Sequence, residues 1–365
     1  MKNTLDYISI KGFLSIREVE KLELRPINIF VGANGSGKSN FLETFVLLNA
    51  IRRGKLKFYT ERKGGAERIL HFGSKITSEV VVEVSFGDES DGYHIELTPT
   101  DIDTFIVQEE FSWCWDKSTQ LEPQKKLLSS IAGEAGISQS QESLIFSKVS
   151  SLNYLCYRFR EIENHIAQTE DVDDNKFLRP NGVNITAYLL FLKEKHLKYY
   201  SLIRSTIQKV APFFDDFQLA PLRRNENKIR LEWLHKSSDN YFDGSYLSGG
   251  ILRFICLATL LLQPPEEIPA IILLDEPELE LHPYAISLLA SMIKSAATQT
   301  QLIITTQSPL LIDYFEPEDI LVTELEDGAT TFKRLESADL EEWLEDYSLG
   351  QLWEKNHFGG RPKHG

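Results

Sequence analysis

Cysteine is scarce and unpatterned: Cys114, Cys156 and Cys256 make an odd set with no C-x-x-C pair. Eight histidines are scattered without metal-ligand spacing, so neither a disulfide framework nor a structural zinc site is expected, and the thiols should be reduced and buried. Long apolar runs are missing as well. The stretches around Ile255 and Ile271 fall short of the roughly 20 residues that cross a bilayer, and the opening Met1-Lys2-Asn3-Thr4-Leu5-Asp6-Tyr7 has no apolar signal core. A soluble, unexported chain, cytoplasmic and with no membrane partner, is the expectation. Positive charge is in deficit, with a net charge of -15, which excludes a protein that coats nucleic acid uniformly but leaves room for a local basic groove. No heptad array is long enough for an extended coiled-coil arm.

What is present is ordinary globular composition, 42% hydrophobic and 25% charged over 365 residues, enough to bury a large core. Tyr7 to Ile16 reads as a strand, and Pro26 to Val31 as a short buried strand entering a Gly-rich turn, with a helix following from Ser39. Val80 to Phe86, Tyr93 to Leu97 and Thr104 to Phe111 suggest an antiparallel sheet. From about Trp113 to Val210 the pattern becomes mainly helical, interrupted by a polar break from Ser138 to Ser143 and by the acidic run Glu170, Asp171, Asp173 and Asp174. The best helix carries Ile185, Leu189, Leu192, His196, Tyr200, Ile203, Ile207 and Val210 at spacings of three or four, with Pro212 closing it. That stripe reads as core. Lys193, Lys195, Lys198, Arg204 and Lys209 lie around its flanks and back, and a solvated face is the preferred reading over a phosphate-binding one.

Gly32-Ala33-Asn34-Gly35-Ser36-Gly37-Lys38-Ser39 fits GxxxxGK[ST] between an apolar strand and a helix, the context that a phosphate-binding loop requires. Inward N–H groups from Asn34 to Asn40 and the helix N-terminus would cradle phosphates, Lys38 would reach the β/γ-phosphates, and Ser39 would offer a Mg²⁺ ligand. Ile271 to Leu274 form an apolar strand ending in Asp275-Glu276-Pro277, a Walker B pattern: Asp275 would hold the metal and Glu276 would act as general base on the attacking water. The two motifs stand toward opposite ends of the chain and must meet, which favours one composite domain.

Leu247-Ser248-Gly249-Gly250 precedes that strand by a short helical interval and resembles the signature of ABC ATPases. Glu278-Leu279-Glu280-Leu281-His282-Pro283 resembles their D-loop region, and Leu302 to Pro309 their switch strand, with Gln307 where many members carry a titratable His. The long insertion between Ser39 and Ser248, the opening Ile8 to Ile16 and the segment Leu178 to Ile185 resemble the RecF/SMC-like branch. So does the tail, Leu349 to Asn356 with Gly359-Gly360-Arg361-Pro362, which is similar to small stand-alone RecF-like or OLD-like ATPases of phage-defence or DNA-maintenance systems.

The resemblance implies an α/β P-loop NTPase of ABC type, with a mixed central sheet, an antiparallel β lobe and a helical insertion. Residues 1–112 and 213–335 would form the ATPase domain, 113–212 the insertion and 336–365 a tail. It also implies ATP and Mg²⁺ as cofactors, catalysis by Glu276, Lys38 and Gln307, and a head-to-tail homodimer. In that dimer Ser248, Gly249 and Gly250 of one copy complete the site of the other. A separate effector such as a Toprim-type nuclease, and possible DNA binding, follow from the same resemblance. The main alternative is a largely non-hydrolysing ATP-bound scaffold holding an effector, and a transporter subunit is a third reading. No adenine-stacking aromatic stands out, and Gln108, the one Q-loop candidate, reads better as a plain strand residue.

Overall fold

Leu5–Phe13 (β1) and Ile16–Glu23 (β2) form a hairpin rather than the single strand expected over Tyr7 to Ile16. Leu14 takes a φ of 51° to reverse the chain. The computed structural model describes residues 4–138 and 155–360. Of the polar break expected from Ser138 to Ser143, only Ser138, the last residue of a 3-10 turn, lies among the described residues, and Arg361 and Pro362 lie outside them.

Val80–Phe86 (β4), Asp91–Pro99 (β5), Phe105–Cys114 (β6) and Gln124–Ala132 (β7) complete a six-stranded antiparallel sheet in the order β2-β1-β4-β5-β6-β7. The antiparallel lobe is therefore present, and it extends further than expected. The chain was read as mainly helical from Trp113, but β7 pairs along β6, Lys125 opposite Trp113 and Ala132 opposite Val107. As an edge strand β7 is exposed or half-buried at every position. Its sequence therefore lacks the apolar-polar alternation that betrays a half-buried strand. Gln108 is an exposed residue of β6 at a register shift opposite Glu96 and Leu97, which agrees with a plain strand residue.

The second sheet is mixed. Ile27–Val31 (β3), buried at all positions, runs parallel to Gln301–Thr306 (β15) and to Ile320–Glu326 (β16), while Ala329–Arg334 (β17) lies antiparallel to β16. With Cys156–Tyr157 (β8) and Ile271–Asp275 (β14) the order is β17-β16-β3-β15-β14-β8. β3, β14 and β15 are buried at every position and largely apolar, as parallel strands covered on both faces require, with Asn28, Gln301, Thr305, Thr306 and Asp275 as their polar members. Lys38–Arg52 (α1) follows β3 and buries Phe41, Leu42, Phe45 and Leu48. The ring of Phe41 stacks on Phe30 of β3 at 4.3 Å, and burial of each such side chain stabilises by roughly 1.5–3 kcal/mol. The buried Gln301 amide takes the Leu5 N–H at 2.9 Å and donates to the Leu5 and Arg25 carbonyls at 2.9 and 3.1 Å, which ties β1 to β15.

The chain forms two compact units, each drawn from separated segments. The first takes in the described residues of Met1–Cys156, Pro269–Leu273 and Thr300–Gly365, and the second takes in Tyr157–Ile268 and Leu274–Gln299. The second unit holds the pair Glu170–Asp171 (β9) and Lys228–Ile229 (β11), and a small sheet of Phe214–Phe217 (β10), Glu232–His235 (β12) and Tyr241–Asp243 (β13). Its long helices are Ile185–Lys195 (α2), Leu197–Val210 (α3), Gly249–Leu261 (α4) and Pro283–Ala296 (α5). The single helix expected from Ile185 to Val210 is broken at His196, whose φ of -134° leaves helical space. Phe191 meets its ring edge-on, and Glu266 and Glu267 lie 3.5 and 4.0 Å from its nitrogens. Ile185, Leu189, Leu192, Tyr200, Ile203 and Ile207 are nonetheless buried, so the apolar stripe is core. Of the basic residues on its flanks, Arg204 and Lys193 pair with Asp215 and Asp216 of β10 at 2.7 and 3.7 Å.

Candidate functional site

The Gly-rich loop is built where a buried parallel strand must turn into a helix. β3 ends at Val31, Ser36 N–H bonds the Ala33 carbonyl at 3.2 Å, and α1 begins at Lys38. Gly37 has a φ of 103°, and a Cβ there would stand 2.8 Å from the Ser15 hydroxyl and closer still to Thr330, so only glycine fits. Lys38 is 5% exposed, and its ammonium donates to the Gly32 and Ala33 carbonyls at 2.7 and 2.8 Å. Its charge is thus held over the loop by the loop's own backbone. Ser36 Oγ is buried with no hydrogen-bond partner among the described residues, an orphan polar atom of the kind an anion's oxygens satisfy. Asn34, Gly35 and Ser39 are exposed and Asn40 is half-buried. The donor set fits a polyphosphate, and the Ser39 hydroxyl is a hard oxygen suited to Mg²⁺.

A relay of hydroxyls supports the loop. Asn40 donates to Ser15 Oγ at 2.7 Å, Ser15 shares a 2.6 Å bond with Thr330, and Thr330 donates to the Ser36 carbonyl at 3.0 Å. Neither Ser15 nor Thr330 was legible in the sequence, because each lies far along the chain from the loop it braces. Gln307 follows directly on Thr306, which is in register with Val31, so it begins the connection beyond β15 at the same level as Gly32 beyond β3. Gln307 and the loop thus share the carboxyl end of adjacent parallel strands, where ligands of open α/β sheets bind.

Asp275 and Glu276 stand in the second unit at the end of β14. Asp275 is 5% exposed, and Glu276 adopts a φ of 49°, a left-handed conformation that costs a non-glycine residue on the order of 1 kcal/mol or more. Asp275 Oδ2 lies 2.9 Å from Arg158 Nε and 3.5 Å from Arg160 Nη2, and the Arg160 guanidinium donates to Glu276 Oε2 at 2.6 Å. These arginines were not singled out in the sequence. They follow β8 on the Cys156-Tyr157-Arg158-Phe159-Arg160 stretch, and 116 residues separate Arg160 from Glu276.

The Ser248-Gly249-Gly250 turn opens α4, with Ser248 exposed at the N-cap and its hydroxyl making no capping bond. A Cβ at Gly249 would strike the Glu163 carboxylate and stand 3.0 Å from Glu280 Oε2, and one at Gly250 would strike the Glu280 carbonyl. The buried Arg253, one turn further along, donates to the Leu279 carbonyl and lies 3.5 Å from Glu280 Oε2. α4 is thereby locked to the segment after Glu276. His282 ends that segment by accepting the Tyr284 N–H at 3.2 Å as the N-cap of α5, with Pro283 at its first position.

A family model described as "AAA domain, putative AbiEii toxin, Type IV TA system" matches residues 27–313. No curated protein sequence matches significantly. Among solved structures, an Smc head bound to the C-winged helix domain of ScpA has a TM-score of 0.63 at 17% identity, covering 93% of this chain and 99% of that one. An Smc head with an extended coiled coil, bound to the C-terminal domain of ScpA derived from Pyrococcus furiosus, has a TM-score of 0.58 at 15% identity, covering 94% and 98%. The chain has the P-loop fold of the SMC-head ATPases, with its mixed and antiparallel sheets. Among the described residues, no helix is long and apolar enough to cross a membrane.

Proposed function

Because the chain belongs to this AAA-domain family and has the fold of SMC heads, we propose that it is an ABC/SMC-like ATPase of the RecF/SMC group in which two copies close head to tail around two ATP molecules and reopen on hydrolysis. The observation that carries this reading is the start of α4. Serine is among the strongest helix caps, yet the Ser248 hydroxyl makes no capping bond and stands exposed at the start of a 13-residue helix. An N-terminus of that kind favours an anion, and a second copy's γ-phosphate is the anion the arrangement suits.

In this reading the N–H groups from Asn34 to Asn40 and the Lys38 ammonium hold the phosphates. Ser39 and Asp275 hold Mg²⁺, which when bound neutralises charge on the β- and γ-phosphate oxygens. Glu276 orients and deprotonates the attacking water, and Gln307 hydrogen-bonds the γ-phosphate or that water without titrating. Ser248, Gly249 and Gly250 of the second copy close the site. The switch would act in the cytoplasm on a separate effector, such as a Toprim-type nuclease or a toxin, or respond to DNA, in anti-phage defence or DNA repair. Support for a protein partner comes from the two Smc heads, each bound to a ScpA domain, and the family description names a type IV TA system.

Glu276→Gln keeps the side-chain shape but removes the base. With Mg²⁺ and ATP it should run as a dimer in light scattering and release phosphate at least a hundredfold more slowly than the unsubstituted protein. Mass independent of nucleotide in both proteins would defeat the proposal. Nucleotide-dependent dimers combined with negligible phosphate release by the unsubstituted protein, with or without DNA, would instead make it a scaffold.

A further inference from the structure

The two carboxylates at the end of β14 are already engaged by two guanidinium groups. Arg158 Nε approaches Asp275 Oδ2 to 2.9 Å, and Arg160 Nη2 lies 3.5 Å from the same oxygen and 2.6 Å from Glu276 Oε2. Two positive and two negative charges thus form one compact group inside the second unit. The Asp275 side chain is 4% exposed and Glu276 15%, whereas Arg158 and Arg160 are 39% and 45% exposed.

This asymmetry has a physical consequence. A carboxylate with little access to water needs a counter-charge close by, because desolvation makes an unpaired ion costly. Here a guanidinium supplies it, and a divalent cation draws on the same oxygens. With both drawn to Asp275 Oδ2, their like charges repel and each weakens the hold of the other. The half-exposed arginines stand on long flexible stems, so they are the partners able to move. Guanidinium groups also match phosphate oxygens with a planar fork of donors.

We propose that Arg158 and Arg160 are a counter-ion switch that competes with the divalent metal for Asp275 and occupies Glu276, yielding both acids when a nucleoside triphosphate offers the arginines replacement anions. Metal entry is thereby coupled to triphosphate entry, and ADP, which lacks the γ-phosphate, offers the arginines less than ATP does. This second half rests on the nucleotide reading above. The competition itself rests only on the four side chains.

The test uses Mn²⁺ as the probe, followed by electron paramagnetic resonance on the full chain, first without nucleotide. The variant carrying Arg158→Gln and Arg160→Gln should bind Mn²⁺ at least tenfold more tightly than the unsubstituted protein and lose most of its preference for ATP over ADP in calorimetry. Should the double variant fail to fold, Arg160→Gln alone, at the more exposed position, should show the same direction with at least a threefold gain. Coincident nucleotide-free Mn²⁺ curves in a folded variant would overturn the switch even if ATP binding is normal. If the unsubstituted protein binds no ATP while the variant still gains Mn²⁺ affinity, the nucleotide reading fails and the competition stands.

Discussion

Glu170 offers a quantitative test of how the second unit is held together. Its carboxylate takes the N–H groups of Thr186 and Ala187 at 3.2 and 2.9 Å and the Thr186 hydroxyl, so a residue of β9 caps the first turn of α2 from outside the helix. Burial pushes its pKa up from the ordinary carboxylate value of 4.5 to about 7, with the nearby Asp174 adding to the rise and the three hydrogen bonds opposing it. Between those two values the folded protein holds a proton that the unfolded chain has released. Stability is therefore greatest below the unfolded value and falls as pH rises through the window toward 7. At about 1.4 kcal/mol per pH unit, the loss is on the order of 3 kcal/mol.

Glu170→Gln removes the titration while keeping one acceptor. A chain of two compact units need not unfold in a single step, so the assay should be local. Hydrogen exchange of the amides in residues 185–195, corrected for its intrinsic pH dependence, reads the opening that frees the carboxylate. The protection free energy of the unsubstituted protein should fall by about 3 kcal/mol between pH 5 and pH 8, and that of the variant should stay nearly level. Parallel profiles for the two proteins would refute the reasoning, whatever their absolute protection.

Two further outcomes follow from the candidate site. Gly37→Ala forces a Cβ into the Ser15 and Thr330 hydroxyls at a φ of 103°, which should cost about 1–3 kcal/mol locally and weaken ATP binding at least tenfold by calorimetry. Arg253→Met removes a buried charge that bonds the Leu279 carbonyl and faces Glu280. It should destabilise the second unit by about 2 kcal/mol in urea unfolding monitored by exchange of α4 amides, while exchange in α1 is unchanged.

Legibility in the sequence followed the range of each interaction. β3 and β14 were read correctly because burial on both faces leaves a mostly apolar stretch, Ile29 to Val31 in one and Ile271 to Leu274 in the other. β7 was missed because exposure along its length leaves no alternation to detect. The helix over Ile185 to Val210 was right in its buried face and wrong in its continuity. The break at His196 accompanies its position between Phe191 and the Glu266-Glu267 pair, and a period of 3.6 residues carries no information about that. The acidic run from Glu170 to Asp174 read as a polar break, although its first member is a helix cap.

The eight residues from Gly32 to Ser39 announce a phosphate loop by themselves, since the turn, the lysine and the helix start are all specified by neighbours in the chain. The same holds for the apolar strand before Asp275 and for the glycines that open α4. What tertiary structure alone decided is which distant groups act on them: Thr330 beneath the loop, Arg253 on the Leu279 carbonyl, and Arg158 and Arg160 on Asp275 and Glu276. Charge pairing and hydrogen bonding act over a few ångströms of space whatever the separation in sequence, so these contacts leave no periodic or local trace in the order of residues.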